Sequence, residues 1–222
     1  VDIWNAVYIK ESQAVLFNAS KDLDDVKQIY IKLPGQEEVQ LVDKVKECTY
    51  SEDANKVYYL NTEDELYSID VPEINKKALA DRTYFEKVID DCEVNKLLGD
   101  VVNYSVSPNG KSVVARDIND DLYLLREDEK EKIDSSVMFE EAFNEHVYYM
   151  TSEGELFIQE GINIEKPEAL PEAILITDQL GEDYSISEFG RYITYLTEET
   201  VDGKEKVSLM RYDTKKSKEV IL

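Results

Sequence analysis

The chain repeats itself, and that repetition limits what it can fold into more than any other feature. Val57 to Asp70 (VYYLNTEDELYSID) aligns without a gap on Val147 to Glu160 (VYYMTSEGELFIQE). Six of the 14 positions are identical: Val57/Val147, Tyr58/Tyr148, Tyr59/Tyr149, Glu63/Glu153, Glu65/Glu155 and Leu66/Leu156. A second pair, Tyr104 to Lys111 (YSVSPNGK) and Tyr184 to Arg191 (YSISEFGR), shares Tyr, Ser, Ser and Gly and exchanges Val for Ile and Lys for Arg. Each member of that pair precedes a run whose apolar residues recur at strand spacing. Self-similarity at such a period is the signature of a repeat architecture.

Together the pairs define one unit: a short strand, a polar turn, a second strand, an Asp-, Glu-, Asn- and Gly-rich hairpin loop, a third strand and a fourth. The third unit shows it best, with strands over Tyr104 to Ser107, Ser112 to Arg116 and Leu122 to Arg126, a turn at Pro108-Asn109-Gly110, and a loop from Asp117 to Asp121. In the first unit Val7 to Lys10, Ala14 to Phe17 and Gln28 to Leu33 read as strands. In the last, Tyr192 to Leu196 and Val207 to Tyr212 are joined through Asp202-Gly203, a strong hairpin dipeptide, and Lys218 to Leu222 forms the fourth strand. Second-strand markers at Val15, Val57, Val113, Val147 and Ile193 are 42, 56, 34 and 46 residues apart, a mean of (193 − 15)/4 = 44.5. Four-stranded propeller blades run about 40–50 residues. The spacing predicts an all-β chain, a β-propeller of about five four-stranded antiparallel blades or an open segment of a larger one. It forms one domain over 1–222, with units near 5–45, 46–100, 101–137, 138–180 and 181–222. The long second step leaves an insertion over 73–98, where Tyr84, Val88 and Cys92 at i, i+4 suit a short helix and an extended strand is the alternative.

Tyr104-Ser-Val-Ser-Pro-Asn-Gly-Lys111, followed by a β run and Asp121-Leu-Tyr-Leu-Leu125, resembles the WD40-like (PD40-like) repeat of TolB-type propellers. That repeat carries a Ser-Pro-Asp-Gly-Lys turn between its first two strands. Tyr184 to Arg191 keeps Ser and Gly but has Glu188-Phe189 where the family has Pro-Asp, and the units at Val57 and Val147 lack the motif. The resemblance implies a propeller of a bacterial envelope or extracellular protein. It transfers no catalytic residue, because the motif is a turn-forming device, and in members fused to peptidases the chemistry lies in a separate domain.

With 25 Lys+Arg against 49 Asp+Glu, the net charge is −24. A surface this acidic repels nucleic acid and anionic headgroups, so neither is expected as a partner, and no local basic patch is visible in the sequence. The apolar stretches are too short to span a bilayer. The chain starts at Val1 without a leader pattern, which suits a removed leader or, by preference, a cut chain. Cys48 and Cys92 are too few for a disulfide framework and, with His146 the only His, match no zinc pattern; two partly buried thiols or a single disulfide are the readings.

Asp117, Asn119 and Asp121 have the D-x-N-x-D spacing of oxygen ligands in calcium loops. Against an EF-hand stand Leu122 at the Gly position, Asp128 at position 12 and flanking strands, so the alternative is a solvated hairpin tip. Asp22, Asp24 and Asp25 in the first hairpin read the same way. No other cofactor is expected. His146 stands without a nucleophile motif or an acidic partner. Trp4, Tyr58-Tyr59 and Tyr148-Tyr149 suit core packing over stacking on a sugar or peptide. The function read from the sequence is therefore non-catalytic binding of a protein, peptide or carbohydrate ligand, with the ligand-binding residues unassigned. The alternatives are a propeller-fold glycoside hydrolase and an accessory gating domain of a larger enzyme. If the propeller is open, an exposed terminal blade gives a route to a homodimer.

Overall fold

The computed structural model describes residues 2–10, 12–20, 26–107, 110–126, 129–143, 146–162, 170–178, 180–187 and 190–222, the side chains of 2, 4, 143 and 181–183 excepted. Asp22, Asp24, Asp25, Pro108, Asn109, Asp128, Glu188, Phe189 and the Trp4 side chain lie outside the described residues. The chain divides into two compact units, Val1–Val102 and Asn103–Leu222.

In the first unit β1 (Asp2–Ile9), β2 (Ala14–Ser20), β3 (Lys27–Lys32), β4 (Val39–Tyr50), β5 (Lys56–Asn61) and β6 (Leu66–Asp70) are followed by helices α1 (Lys76–Ala80) and α2 (Arg82–Asp90) and by β7 (Val94–Leu98). Then come β8 (Val101–Val106), β9 (Val113–Asp117), β10 (Leu122–Arg126) and β11 (Glu129–Asp134). The next group is β12 (Val137–Phe143), β13 (His146–Thr151), β14 (Leu156–Glu160) and β15 (Ile174–Thr177). The last is β16 (Leu180–Ile186), β17 (Tyr192–Val201), β18 (Lys204–Asp213) and β19 (Lys218–Ile221). Among the described residues all pairings are antiparallel between sequence neighbours, giving one seven-stranded sheet, β1 to β7, and three four-stranded ones.

The five four-stranded units lie in four continuous sheets among the described residues, because β4 serves twice. Its first half pairs with β3 and its second with β5, and Val45, fully buried, is paired on both sides, with Lys27 and with Asn61. Lys44, just before it, sits in the left-handed region at φ 56° and turns the strand from one blade into the next. The same bend recurs where later blades begin, at Asp100 (φ 56°) before Val101 and at Ser136 (φ 57°) before Val137. Each bend is stitched to neighbouring hairpins. The Val101 N–H donates to the Asp64 carbonyl at 2.8 Å and that of Val137 to Asp120 at 2.8 Å, while Thr62 and Ser152 donate to the Lys44 and Ser136 carbonyls.

The turn between first and second strands has one mechanism in three blades. The Ser107, Ser51 and Ser187 Oγ atoms accept the amides of Ser112 (3.1 Å), Lys56 (2.9 Å) and Tyr192 (3.0 Å), five residues on. Gly110, Ala54 and Gly190, all at positive φ, donate back to the serine carbonyls. The blade at Val57 therefore has the motif turn that its sequence hides. Ala54 takes the glycine position at φ 57°, and Asp53 ties the loop by accepting from Ser51 Oγ (2.8 Å) and the Asn55 amide (3.1 Å).

Within each unit, apolar side chains of adjoining blades pack face to face. In β13, Tyr148 and Tyr149 are buried on opposite faces. Tyr149 joins Val114, Leu122 and Leu124 of the preceding blade, and Tyr148 joins Ile193, Tyr195 and Tyr212 of the following one. The insertion holds α1, α2 and β7. The helix face lies one position on from the series expected: Phe85 and Ile89 are buried in the first unit's core, with Tyr84 and Cys92 partly buried beside them. A buried pair ties the third blade to the fourth. Arg116 Nε donates to Glu140 at 2.7 Å, and Asn103 Nδ2 donates to the other oxygen of the same carboxylate at 2.7 Å.

Ser107→Ala leaves the Ser112 amide buried without its acceptor and is expected to cost about 1–3 kcal/mol. Ser187→Ala, at a half-exposed turn where water replaces the hydroxyl, costs less. Urea midpoints of the two variants check the order.

Candidate binding cleft

The calcium-like triplet belongs to a repeated hairpin. Asp117 Oδ1 accepts the amides of Asn119 (2.9 Å) and Asp121 (3.1 Å), and Oδ2 accepts from Asn119 Nδ2 at 3.3 Å. Asn61 does the same in the second blade, taking the amides of Glu63 and Glu65, each at 2.9 Å. At the corresponding position of the fourth blade, Thr151 Oγ1 donates to Glu155 Oε2 at 3.3 Å. Asp121 turns to Lys132, with Nζ–Oδ2 2.7 Å, and that ammonium holds its carboxyl below the usual carboxylate range. Among the described residues no three His, Cys, Asp or Glu side chains form a group able to hold a metal ion. Asp117→Ala is expected to cost about 1 kcal/mol by losing this cap, with or without millimolar Ca²⁺. A chelator-reversible rise in melting temperature that Asp117→Ala abolishes would contradict this assignment.

The acid that closes the hairpin also anchors the fourth strand. Glu65 accepts from Lys96, from Tyr67 (2.7 Å) and from Asn61 (3.0 Å), and these bonds pull its carboxyl down to about 2. Tyr67 pairs with Lys96 and Tyr123 with Lys132 across the third and fourth strands. In the fourth blade the equivalent pair is Phe157 and Leu175, so β15 has an apolar residue in place of the anchoring lysine.

Beside β15 lies a cleft of about 330 Å³. One wall is Leu175 to Asp178; the other is formed by Thr197, Glu199, Lys206, Ser208, Met210, Glu219 and Ile221. The register explains it. Thr197 pairs with Ser208, Glu199 with Lys206 and Met210 with Ile221, so these side chains share the face of the last blade that packs on the fourth. β17 and β18 are ten residues long and β15 is four, so the covering sheet ends before the covered face does. Met210 and Ile176 are partly buried at the edge of that core, whereas Ile221 is 69% exposed. Asp178, Glu199 and Glu219 supply three carboxylates against Lys206, whose Nζ lies 3.9 Å from Glu199. Glu219 accepts from the Tyr195 hydroxyl, and burial with that carboxylate pushes the Tyr195 phenol well above its usual value.

The other singled-out residues are structural in placement. Tyr58, Tyr59, Tyr148 and Tyr149 are all buried. His146 begins β13, edge-to-face with Tyr148, and its Nδ1 has no hydrogen-bond partner among the described residues. Cys48 and Cys92 are free thiols, both pushed up by burial. Contrary to the sequence reading, cations do gather locally. Arg191 and Arg211 flank the Tyr192 ring at 4.9 and 5.2 Å, and exposed Lys215, Lys216 and Lys218 stand on the adjoining β18–β19 turn. The sequence signal was there, in residues 204 to 218, with six Lys or Arg against two Asp or Glu, but whole-chain counting masked it.

No protein-family profile matches the chain, and no curated protein matches it in sequence. Solved structures do resemble it. Kluyveromyces lactis Hsv2 is 12% identical with a TM-score of 0.53, covering 98% of this chain and 62% of its own. A chain of the S. cerevisiae assembly of Dbp5 bound to Nup159 and Gle1 is 11% identical, TM-score 0.51, covering 98% and 59%. An oligogalacturonate lyase in complex with manganese is 9% identical, TM-score 0.51, covering 97% and 63%. The chain spans about three fifths of the length of these structures. At such identities the likeness shows the fold alone, that of an all-β β-propeller or an open segment of one.

Proposed function

We propose that the chain is a protein- or peptide-binding propeller module without chemistry of its own, and that the cleft beside β15 is its binding site. The observation that carries this reading is the uncovered part of the last blade's inner face, where Met210 and Ile221 lie among Thr197, Ser208 and the carboxylates of Glu199 and Glu219, beside the short strand β15. A cleft that offers apolar contacts and fixed polar groups side by side is what extended segments recognise. The S. cerevisiae assembly, a complex of bound proteins that contains a chain of this fold, lends support. We assign the module to the TolB-like type and to an extracellular or envelope protein on the Ser107 turn motif and the net charge of −24. A second reading, a propeller-fold glycoside hydrolase, rests on Asp178, Glu199 and Glu219 lining one cleft. Glycoside turnover lost in Glu199→Gln or Glu219→Gln would favour it.

The test is selection of linear peptides from a charge-unbiased displayed library, with counter-selection on Ser208→Trp, which fills the cleft. Recovered peptides are expected to bind the wild type at least about tenfold more tightly than a Ser208→Trp variant of unchanged circular dichroism. Peptides that bind both proteins equally, or no enrichment at all, would overturn the assignment.

A further inference from the structure

We propose that the cleft takes an extended peptide with two Lys or Arg residues six positions apart, one for each of two acidic ends of the last blade's inner face. This rests on the binding-module reading above and names the partner's chemistry.

Strand register separates the two ends. On β17 the residues Ile193, Tyr195, Thr197 and Glu199 share one face, and opposite them on β18 lie Tyr212, Met210, Ser208 and Lys206. Tyr212 and Met210 in turn pair with Glu219 and Ile221 of β19. Glu219 therefore stands level with Ile193, six residues from Glu199 (199 − 193), which at about 3.4 Å per residue puts the ends about 20 Å apart along the strands. That exceeds the Debye length of about 8 Å at physiological ionic strength, so a cation held at one end leaves the other unneutralised.

Each end keeps one carboxylate in excess. Glu219 accepts from the Tyr195 hydroxyl, and among the described residues no Lys or Arg lies within ion-pair distance of it. At the other end Lys206, 3.9 Å from Glu199, stands against two carboxylates of the cleft, Glu199 and Asp178. Asp178 belongs to that end because Leu180, two residues on, pairs with Thr197. Between the ends the floor changes from Met210 and Ile221 to Thr197 and Ser208. Thr197 is only 7% exposed, and among the described residues its hydroxyl has no hydrogen-bond partner, so a polar group in the cleft would satisfy it. An extended chain advances at the same pitch as the strands beneath it and turns alternate side chains one way. Residues i and i+6 then face the two ends, i+2 and i+4 rest on the floor, and the Lys or Arg stems lie along it with their charged heads at the carboxylates. Acidic residues at those places would meet like charge.

The probes are capped heptapeptides, measured by calorimetry at one salt concentration. Lys-Ser-Val-Ser-Val-Ser-Lys is expected to bind about threefold or more tightly than its isomer Val-Ser-Lys-Ser-Lys-Ser-Val, which has the same composition and charge. Exchanging either terminal Lys for Met keeps the stem, removes the charge and should weaken wild-type binding about threefold. In Glu219→Gln, where the amide still accepts from the Tyr195 hydroxyl, one of the two exchanges should lose its effect and the other keep it. In Glu52→Gln, the same charge change at an exposed position of the second blade, both should keep it. Equal binding of the isomers, binding by neither, or any other pattern in Glu219→Gln would overturn the proposal. The displayed library separates this failure from that of the reading beneath it. Cleft-dependent peptides without paired basic residues would refute the occupant named here and leave the binding module standing; no cleft-dependent peptides at all would remove both.

Discussion

An apolar face of a blade must be covered by a neighbour, and an inner blade has two such faces. β13 makes the constraint plain: Tyr148 and Tyr149 are both buried, one against the following blade and one against the preceding blade. Burying a large side chain is worth about 1.5–3 kcal/mol, so a four-stranded sheet standing alone would forfeit much of its stability on its uncovered face. Two of the polar groups drawn into these interfaces are satisfied locally. The Tyr148 hydroxyl donates to the Gly190 carbonyl, and Glu140 is held by Arg116 and Asn103. The cleft is where this covering rule stops: β15 is too short for the face opposite it.

The repeat was legible because alternation and turn chemistry are local. The third strand expected over Leu122 to Arg126 is β10 to the residue, and Asp202 and Gly203, both at positive φ, form the tip between β17 and β18. Three features were not legible. The Ser51 turn was hidden because Ala54 adopts a conformation usually left to glycine, so a motif defined by Gly passes over it. The double duty of β4 was hidden because no Gly or Pro interrupts Val39 to Tyr50; the bend is made by Lys44. In α2 an apolar series at Tyr84, Val88 and Cys92 competes with Phe85 and Ile89, and packing against the blades selects the second.

The candidate site was less legible than the fold. Asp117, Asn119 and Asp121 drew attention through spacing alone, yet the same cap appears at Asn61 with different side chains. A device that recurs from blade to blade serves the architecture, and the departures from the repeat are more informative. Leu175 in place of Lys96 and Lys132, a four-residue β15 and a ten-residue hairpin in the last blade are such departures. No single segment shows them. They emerge only when strands from different blades are aligned and their lengths compared.

The central claim is that the second strands of inner blades, covered on both faces, carry the stability, while the short outer strand β15, paired on one side among the described residues, leaves part of the last blade's face uncovered. Native-state amide exchange of the free protein tests it most directly. The account predicts that interior amides of β5, β9, β13 and the buried half of β17 exchange only through global unfolding of their compact unit. The amides of Glu199 to Val207 should exchange through local opening at far lower cost. Protection of Glu199 to Val207 equal to that of β13 in the unliganded protein would contradict the account, because it would mean that the face is already covered.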